Sequence, residues 1–391
     1  MDKDDETKAW RLAYKESCQE HIPEGTTNFQ NVFTPYDLCY DMIRKLETYL
    51  GGFKDKTFCV FNLEFAEVLC YIFGIDREKV WFVTDCEYKR KFAEAERYNG
   101  INVKLTEFGS FLKENWDMKF DVVIGNPPYQ KPTAGGNGQR DLWPDFVERG
   151  LELTKKGGYL CLIHPAKWRR TENKLWKKLS EKQIKYLEIH SDTDGRKVFN
   201  AVTRYDWYVL QNAPCKKKSV VKDENGNIHE MDLNSLPCLP NYHFAEFYEL
   251  LDSHGEANSD ILYSRTLHGN DKPNMSKEKD DNFQYPCVYG MYQDGTFSCF
   301  YSSTKSEHFV PKVIMGTGRY LYPVIDMKGE YGMTQNAFGI KVRSLKEATI
   351  IKKAIESEKF REIIRATKWG NFQTDWRMFK YFKKDFWRNF V

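Results

Sequence analysis

The chain has 391 residues, of which 15% are aromatic and 29% charged, with a formal net charge of +3. That composition excludes a disordered chain and allows a sizeable core, and the length leaves room for about two to three domains. The balance hides an asymmetry: residues 312–391 hold seventeen Lys and Arg against eight Asp and Glu, or +9, so the first 311 sum to −6. A basic, aromatic-rich end has the make-up of a nucleic-acid-facing module, a solvated charged face being the other reading. The ten cysteines form no Cys-x-x-Cys pair and the eight histidines are scattered, so neither a metal site nor a disulfide framework is expected. Dispersed thiols, the lack of a signal-peptide core and the lack of a membrane-length apolar run point to a soluble protein of the cytoplasm, without a membrane partner.

Residues 1–20 read as a short polar helix carrying Trp10 and Tyr14. Thr34-Pro35 starts an amphipathic helix that stops at Gly51-Gly52, with the Thr34 hydroxyl as cap and Pro35 at the first helical position. Thr57–Phe61 is the first strand and Val80–Asp85 the second, followed by a helix from about Glu87 to Tyr98. An acidic residue closing the second strand of an α/β sheet can accept both ribose hydroxyls of a nucleoside cofactor. Asp85 has that place, and it could equally cap the helix that follows. A third strand covers Val103–Leu105.

Asp121-Val122-Val123-Ile124 then forms a short, fully buried strand that stops at Gly125-Asn126-Pro127-Pro128-Tyr129. Ligands in open α/β sheets sit outside the carboxyl ends of strands, so chemistry is expected at this loop. The two prolines remove N–H donors and stiffen the turn, leaving the Asn126 amide oxygen and the Pro127 carbonyl as acceptors to which one planar amino group could donate twice. Tyr129 adds an aromatic face beside them. A Pro-Pro turn with an incidental Tyr is the bland reading.

Asn126-Pro127-Pro128-Tyr129 after a buried strand resembles the catalytic loop of the S-adenosylmethionine-dependent amino-methyltransferases, above all the adenine-N6 DNA methyltransferases of restriction-modification type. The resemblance implies a doubly wound, Rossmann-like α/β sheet with a C-terminal α+β target-recognition domain. It implies S-adenosyl-L-methionine as cofactor and DNA, in duplex form, as partner, with the target adenine flipped out onto Tyr129. It further implies cofactor contacts from Phe33 and Thr34 of the Phe-Thr-Pro segment, from Asn62 and Glu64 after the first strand, and from Phe111 after the third. The family's glycine-rich turn is missing here, since no glycine occurs between Gly52 and Gly74, and Ser110 stands where an Asp is common. A Phe after the last crossover packs on the target base in this family, and Phe199 is the nearest match.

Thr133–Gln139 is rich in Gly and polar residues and reads as a mobile loop. Lys155–Lys185 contains ten Lys and Arg against two Glu. Lys167, Arg169 and Arg170, just past the strand Tyr159–Pro165, could meet phosphates or merely be solvated. Ile184–Ile189 and Tyr205–Leu210 complete the sheet. Lys216–Asn227 reads as a linker or exposed hairpin, dividing a catalytic domain, 1–215, from a target-recognition domain, 216–391. Ser344-Leu345-Lys346-Glu347 is a capping box opening one helix. The aromatic tail from Lys368 docks on the core or stacks bases, docking being favoured.

Two further readings stand beside the first. One is an RNA or protein-glutamine methyltransferase using the same loop. The other is a silent DNA-binding subunit that has lost its cofactor, whether as a second copy or beside a partner subunit.

Overall fold

The computed structural model describes residues 3–20, 32–95, 99–132, 139–252, 258, 260–263, 272–318, 320–370 and 374–391. It divides into two compact units, Met1–Trp168 with Asn173–Leu236, and Arg169–Glu172 with Pro237–Val391. The expected loop at Thr133–Gln139 lies, up to residue 138, outside the described residues, as does Phe372.

In the first unit, helix α1 (Lys3–Glu20) and helix α2 (Tyr36–Leu50) precede strand β1 (Phe58–Val60) and the short helix α3 (Leu63–Glu67). Helix α2 ends at Gly51 in the left-handed conformation, φ 74°, as the Gly-Gly stop required. Its start differs from expectation, because Pro35 occupies the cap position and no side chain caps it. Strands β2 (Val80–Thr84), β3 (Asn102–Leu105) and β4 (Phe120–Gly125) follow, with helix α4 (Glu87–Glu94) between the first two and α5 (Phe108–Phe111) after β3. Strands β5 (Gln130–Pro132) and β6 (Gln139–Asp141) pair antiparallel beyond β4. Helix α6 (Trp143–Leu153), strand β7 (Thr154–Pro165), helix α7 (Lys174–Ser180), strand β8 (Lys182–His190), helix α8 (Asp192–Phe199) and strand β9 (Tyr205–Pro214) complete the crossover part.

Apart from β5 and β6, these strands join β10 (Ser219–Lys222) and β11 (Ile228–Met231), which form one edge, in a nine-stranded sheet of order β11-β10-β8-β9-β7-β4-β1-β2-β3. It is a mostly parallel α/β sheet, with β9 and β11 antiparallel to their neighbours. The three-residue strand β1 is buried throughout, and alternate residues of β4 serve opposite faces. Val122 and Ile124 join Met42, Ile43 and Leu46 of α2 in one core cluster. Val123 faces α6, where Gly150 allows so close an approach that a Cβ would stand 2.8 Å from Leu160 Cδ1. Residue 216 is therefore no boundary. The Lys-rich stretch leads into a hairpin whose strand β10 pairs parallel with β8, and the first unit ends at Leu236. Its short, charged strands carry the marks of an edge, which resemble those of a linker in sequence.

The second unit carries two four-stranded sheets and helices α9 (Phe244–Tyr248), α10 (Leu345–Glu356) and α11 (Glu358–Ala366). Ser344 caps α10 by accepting from Glu347 N at 3.2 Å, while the Glu347 carboxylate reaches back to Arg343 N rather than to the cap residue. Two helices stand where one was expected, because Ser357 ends α10 and caps α11. The aromatic tail is docked: Trp369, Trp376, Phe379, Phe382, Phe386 and Trp387 are buried in this unit's own core. Arg169 also belongs here, as its guanidinium donates to the carbonyls of Leu239 and Pro240 at 2.8 and 2.9 Å and to Asn241 Oδ1 at 2.7 Å.

Candidate functional site

Strand β1 has β2 on one side and β4 on the other, each reached by a separate crossover, so the chain order reverses at the β1/β4 pair. A crevice opens outside the carboxyl ends of strands at such a reversal. Phe61 and Asn62 leave β1 there, and Gly125 and Asn126 end β4 beside them. A Cβ on Gly125 would stand 2.9 Å from Phe61 Cβ and 3.1 Å from Asn62 Oδ1. Gly125 thus lets the end of β4 lie against the segment that leaves β1, whose own turn carries no glycine.

A pocket opens at this point. Phe33, Asn62, Glu64, Asp85, Asn126, Pro127, Pro128 and Tyr129 line it, so eight of the residues singled out in sequence are brought together. Tyr14, Phe61, Phe82, Thr84, Lys89 and Phe108 line it as well and were missed. Two of these had a signal. Tyr14 lies one turn beyond Trp10 in α1, and Glu107-Phe108 is an acid–aromatic pair directly following β3.

The polar groups are held from several elements. Asn126 is 4% exposed. Its N–H donates to Asn62 Oδ1 at 2.6 Å and its Nδ2 to Thr34 Oγ1 at 3.4 Å. Its Oδ1 is buried without a hydrogen-bond partner among the described residues. Buried acceptors are nearly always satisfied, so an unsatisfied one lining a pocket marks a place for an incoming donor. Thr34 N donates to Glu64 Oε1 at 3.0 Å, and Arg11 of α1 donates to the carbonyls of Thr34 and Glu64 at 2.8 and 2.6 Å. The Tyr129 carbonyl accepts from Leu142 N and Trp143 N, anchoring the loop to the start of α6. The Tyr129 hydroxyl has no hydrogen-bond partner among the described residues, and burial, with Tyr205 and Asp206 nearby, pushes it up from its ordinary range. Burial likewise raises Tyr14, with the charge of Glu64 adding to the effect.

Asp85 is exposed at the end of β2. It is not a helix cap, since Cys86 holds that position of α4 without a side-chain bond. Other expectations need correction. Phe111 is wholly buried against Phe61, Trp116 and Phe146 and does not line the pocket. Phe108, three residues earlier and at the start of α5, does. Phe199 does not line the pocket either; it packs edge-on against Tyr205 at 4.9 Å. Arg169 is 0% exposed and its donors are committed to the second unit's backbone, which removes it from any phosphate-facing surface. Lys167 is exposed just past β7, and Arg170 is half-buried. Among the described residues, no helix is long and apolar enough to cross a membrane.

Residues 61–199 match the family model of the Eco57I restriction-modification methylases. Over 165 residues the chain is 30% identical to an uncharacterized adenine-specific methylase of Mycoplasma pneumoniae (strain ATCC 29342 / M129 / Subtype 1), covering 41% of this chain and 32% of that protein. The chain thus spans about a third of the length of the curated relative it matches. Among solved structures, DrdV in its DNA complex aligns with 87% of this chain and 52% of its own at 10% identity, TM-score 0.51. The type IIG restriction endonuclease BpuSI aligns with 90% of this chain and 58% of its own at 11% identity, TM-score 0.45. The resemblance carried by Asn126–Tyr129 is borne out by the family match, which contains that loop together with β2 and β7.

Proposed function

We propose that the protein transfers a methyl group from S-adenosyl-L-methionine to the N6 amino group of an adenine in DNA. The observation that carries this reading is the buried, unpartnered Asn126 Oδ1 lining the pocket at the β1/β4 reversal. The exocyclic nitrogen of adenine is a weak nucleophile, because its lone pair is delocalised into the ring. Two hydrogen bonds from that nitrogen, to Asn126 Oδ1 and the Pro127 carbonyl, draw it toward tetrahedral geometry and free the lone pair. Positioning of this kind needs neither a strong base nor a covalent intermediate. The ring of Tyr129 supplies the stacking face for a flipped base.

The pocket's chemistry fits the cofactor. Asp85 offers a carboxylate at the end of β2, where ribose hydroxyls are bound in sheets of this kind. Phe61, Phe82 and Phe108 offer apolar surface for a purine, and Asn62 and Lys89 offer polar groups. When bound, S-adenosylmethionine supplies an electrophilic methyl on sulfur. The chain's own residues hold the acceptor amino group in line with it and exclude water. The second unit, whose last eighty residues carry the +9 excess, is proposed to recognise the target sequence, and Lys167 to meet a backbone phosphate near the flipped base.

The test is calorimetric titration with S-adenosylmethionine and S-adenosylhomocysteine, followed by mapping of methyladenine in exposed DNA. Wild-type protein is expected to bind both and to methylate. Asn126→Ala is expected to bind both with nearly unchanged affinity and to transfer nothing. Transfer to RNA or to a glutamine side chain, with DNA left unmodified, would overturn the substrate; lack of cofactor binding even with DNA present would favour a silent DNA-binding subunit.

A further inference from the structure

We infer that Thr34 is a positioning residue for the Asn126 carboxamide rather than a contact of the cofactor, an inference that rests on the reading of Asn126 as the base acceptor. The terminal torsion of an Asn side chain is broad and roughly two-fold, so its amide plane is set by whatever it touches. Among the described residues, Asn126 donates two hydrogen bonds of different kinds. The N–H bond to Asn62 holds the backbone, and among the described residues the bond from Nδ2 to Thr34 Oγ1 alone holds the amide plane. At 3.4 Å that bond is long, and it tightens once a donor in the pocket fixes Oδ1 as the acceptor.

Thr34 suits the task because its backbone is held on both sides and its side-chain heavy atoms have little freedom. It is 2% exposed, its N–H is bound by Glu64 and its carbonyl by Arg11, and its β-branched side chain is stiff at χ1. It does not line the pocket, although Phe33 beside it does. Helix α1 thereby acts on the acceptor through Arg11 and Thr34, across ninety-two positions of sequence between Thr34 and Asn126. A hydroxyl can donate or accept, so Thr34 satisfies the amide in either sense, and the arriving amino group selects the one with Oδ1 in the pocket.

The test uses the full chain carrying Thr34→Val, which keeps the shape and removes the hydroxyl, and Thr34→Ser, which keeps the hydroxyl. Methyl transfer at saturating S-adenosylmethionine and DNA, the cofactor dissociation constant and the thermal midpoint are measured for each. Thr34→Val is expected to lose at least tenfold in kcat with the cofactor dissociation constant within about threefold of wild type, and Thr34→Ser to stay near wild type in both. An unchanged kcat in Thr34→Val overturns the inference. So does a weakened cofactor affinity with kcat preserved at saturation, which would make Thr34 a cofactor contact. Equal loss in both variants with a lowered midpoint would make it a packing residue, again overturning the inference. Absence of methyl transfer by the wild-type protein would instead remove the reading of Asn126 itself, and the inference with it.

Discussion

Gly125 and Phe61 stand so close that a side chain on the first would enter the second: a Cβ at Gly125 would lie 2.9 Å from Phe61 Cβ and 3.1 Å from Phe61 N. Both neighbours belong to the stretch that leaves β1, and neither is the far end of a flexible side chain. Gly125→Ala is therefore expected to push β4 from β1, to cost about 1–3 kcal/mol of stability, and to shift Asn126 from its bond to Asn62. Urea unfolding together with methyl-transfer rates checks this. A variant with wild-type stability and rate would show that the loop relaxes at no cost.

Phe108 and Phe111 separate pocket from core. Phe108→Ala is expected to weaken S-adenosylmethionine binding by about 1–2 kcal/mol, as loss of an aromatic face does, with little change in unfolding. Phe111→Ala opens a cavity in a wholly buried aromatic cluster and is expected to cost about 3–5 kcal/mol of stability. Calorimetry and denaturant unfolding on both variants read the two effects independently; the reverse pattern would return Phe111 to the pocket.

The Tyr129 hydroxyl gives a pH prediction with a definite sign. Its folded-state value is raised above the ordinary 10.0 by burial, with Tyr205 and Asp206 adding. The stabilising contribution of the protonated hydroxyl is thus fully present below the unfolded value and is lost as pH rises above it, since the unfolded chain releases a proton that the folded chain keeps. The slope from one such proton is about 1.4 kcal/mol per pH unit. Tyr129→Phe is expected to remove that slope above pH 10, while at neutral pH it matches or exceeds wild type in stability, because a buried hydroxyl without a partner is deleted. Unfolding midpoints from pH 8 to 11 would reveal it, and an unaltered slope would refute it.

The two cations that lie one residue apart around Trp168 are expected to behave in opposite ways. Arg169→Gln strips donors from two carbonyls and Asn241, and is expected to cost about 2–4 kcal/mol of stability while leaving the salt dependence of DNA binding as it was. Lys167→Ala is expected to leave stability alone and to reduce the slope of log affinity against log salt by about one. Binding titrations at several salt concentrations decide between them.

Local signals carried much of this architecture. Helix α2, its Gly51 stop, and strands β1, β2 and β4 follow from periodicity and caps that act within a few residues, and the Asn126 loop follows from two prolines after a buried strand. Asp85 and Asn126–Tyr129 were legible for the same reason, as they follow strand ends, whereas Phe33, Asn62 and Glu64 were reached through the family resemblance. The sequence did not reveal what depends on distant partners. Thr34 looked like a cap because Pro35 follows it, whereas its hydroxyl is taken by Asn126. Arg169 looked like part of a basic surface because its neighbours are Lys and Arg, whereas its partners lie at Leu239–Asn241. The β10–β11 hairpin shares its composition with linkers, and only its pairing with β8 distinguishes it.

The four residues Arg169–Glu172 interrupt the first unit in sequence while belonging to the second, so the polypeptide passes from one unit to the other three times. This bears on how such proteins can be recombined. A single crossover placed after Leu236 would replace the second unit's later part yet leave its Arg169 inherited from the other parent. Shuffled genes that keep the second unit folded must therefore match at two separated places.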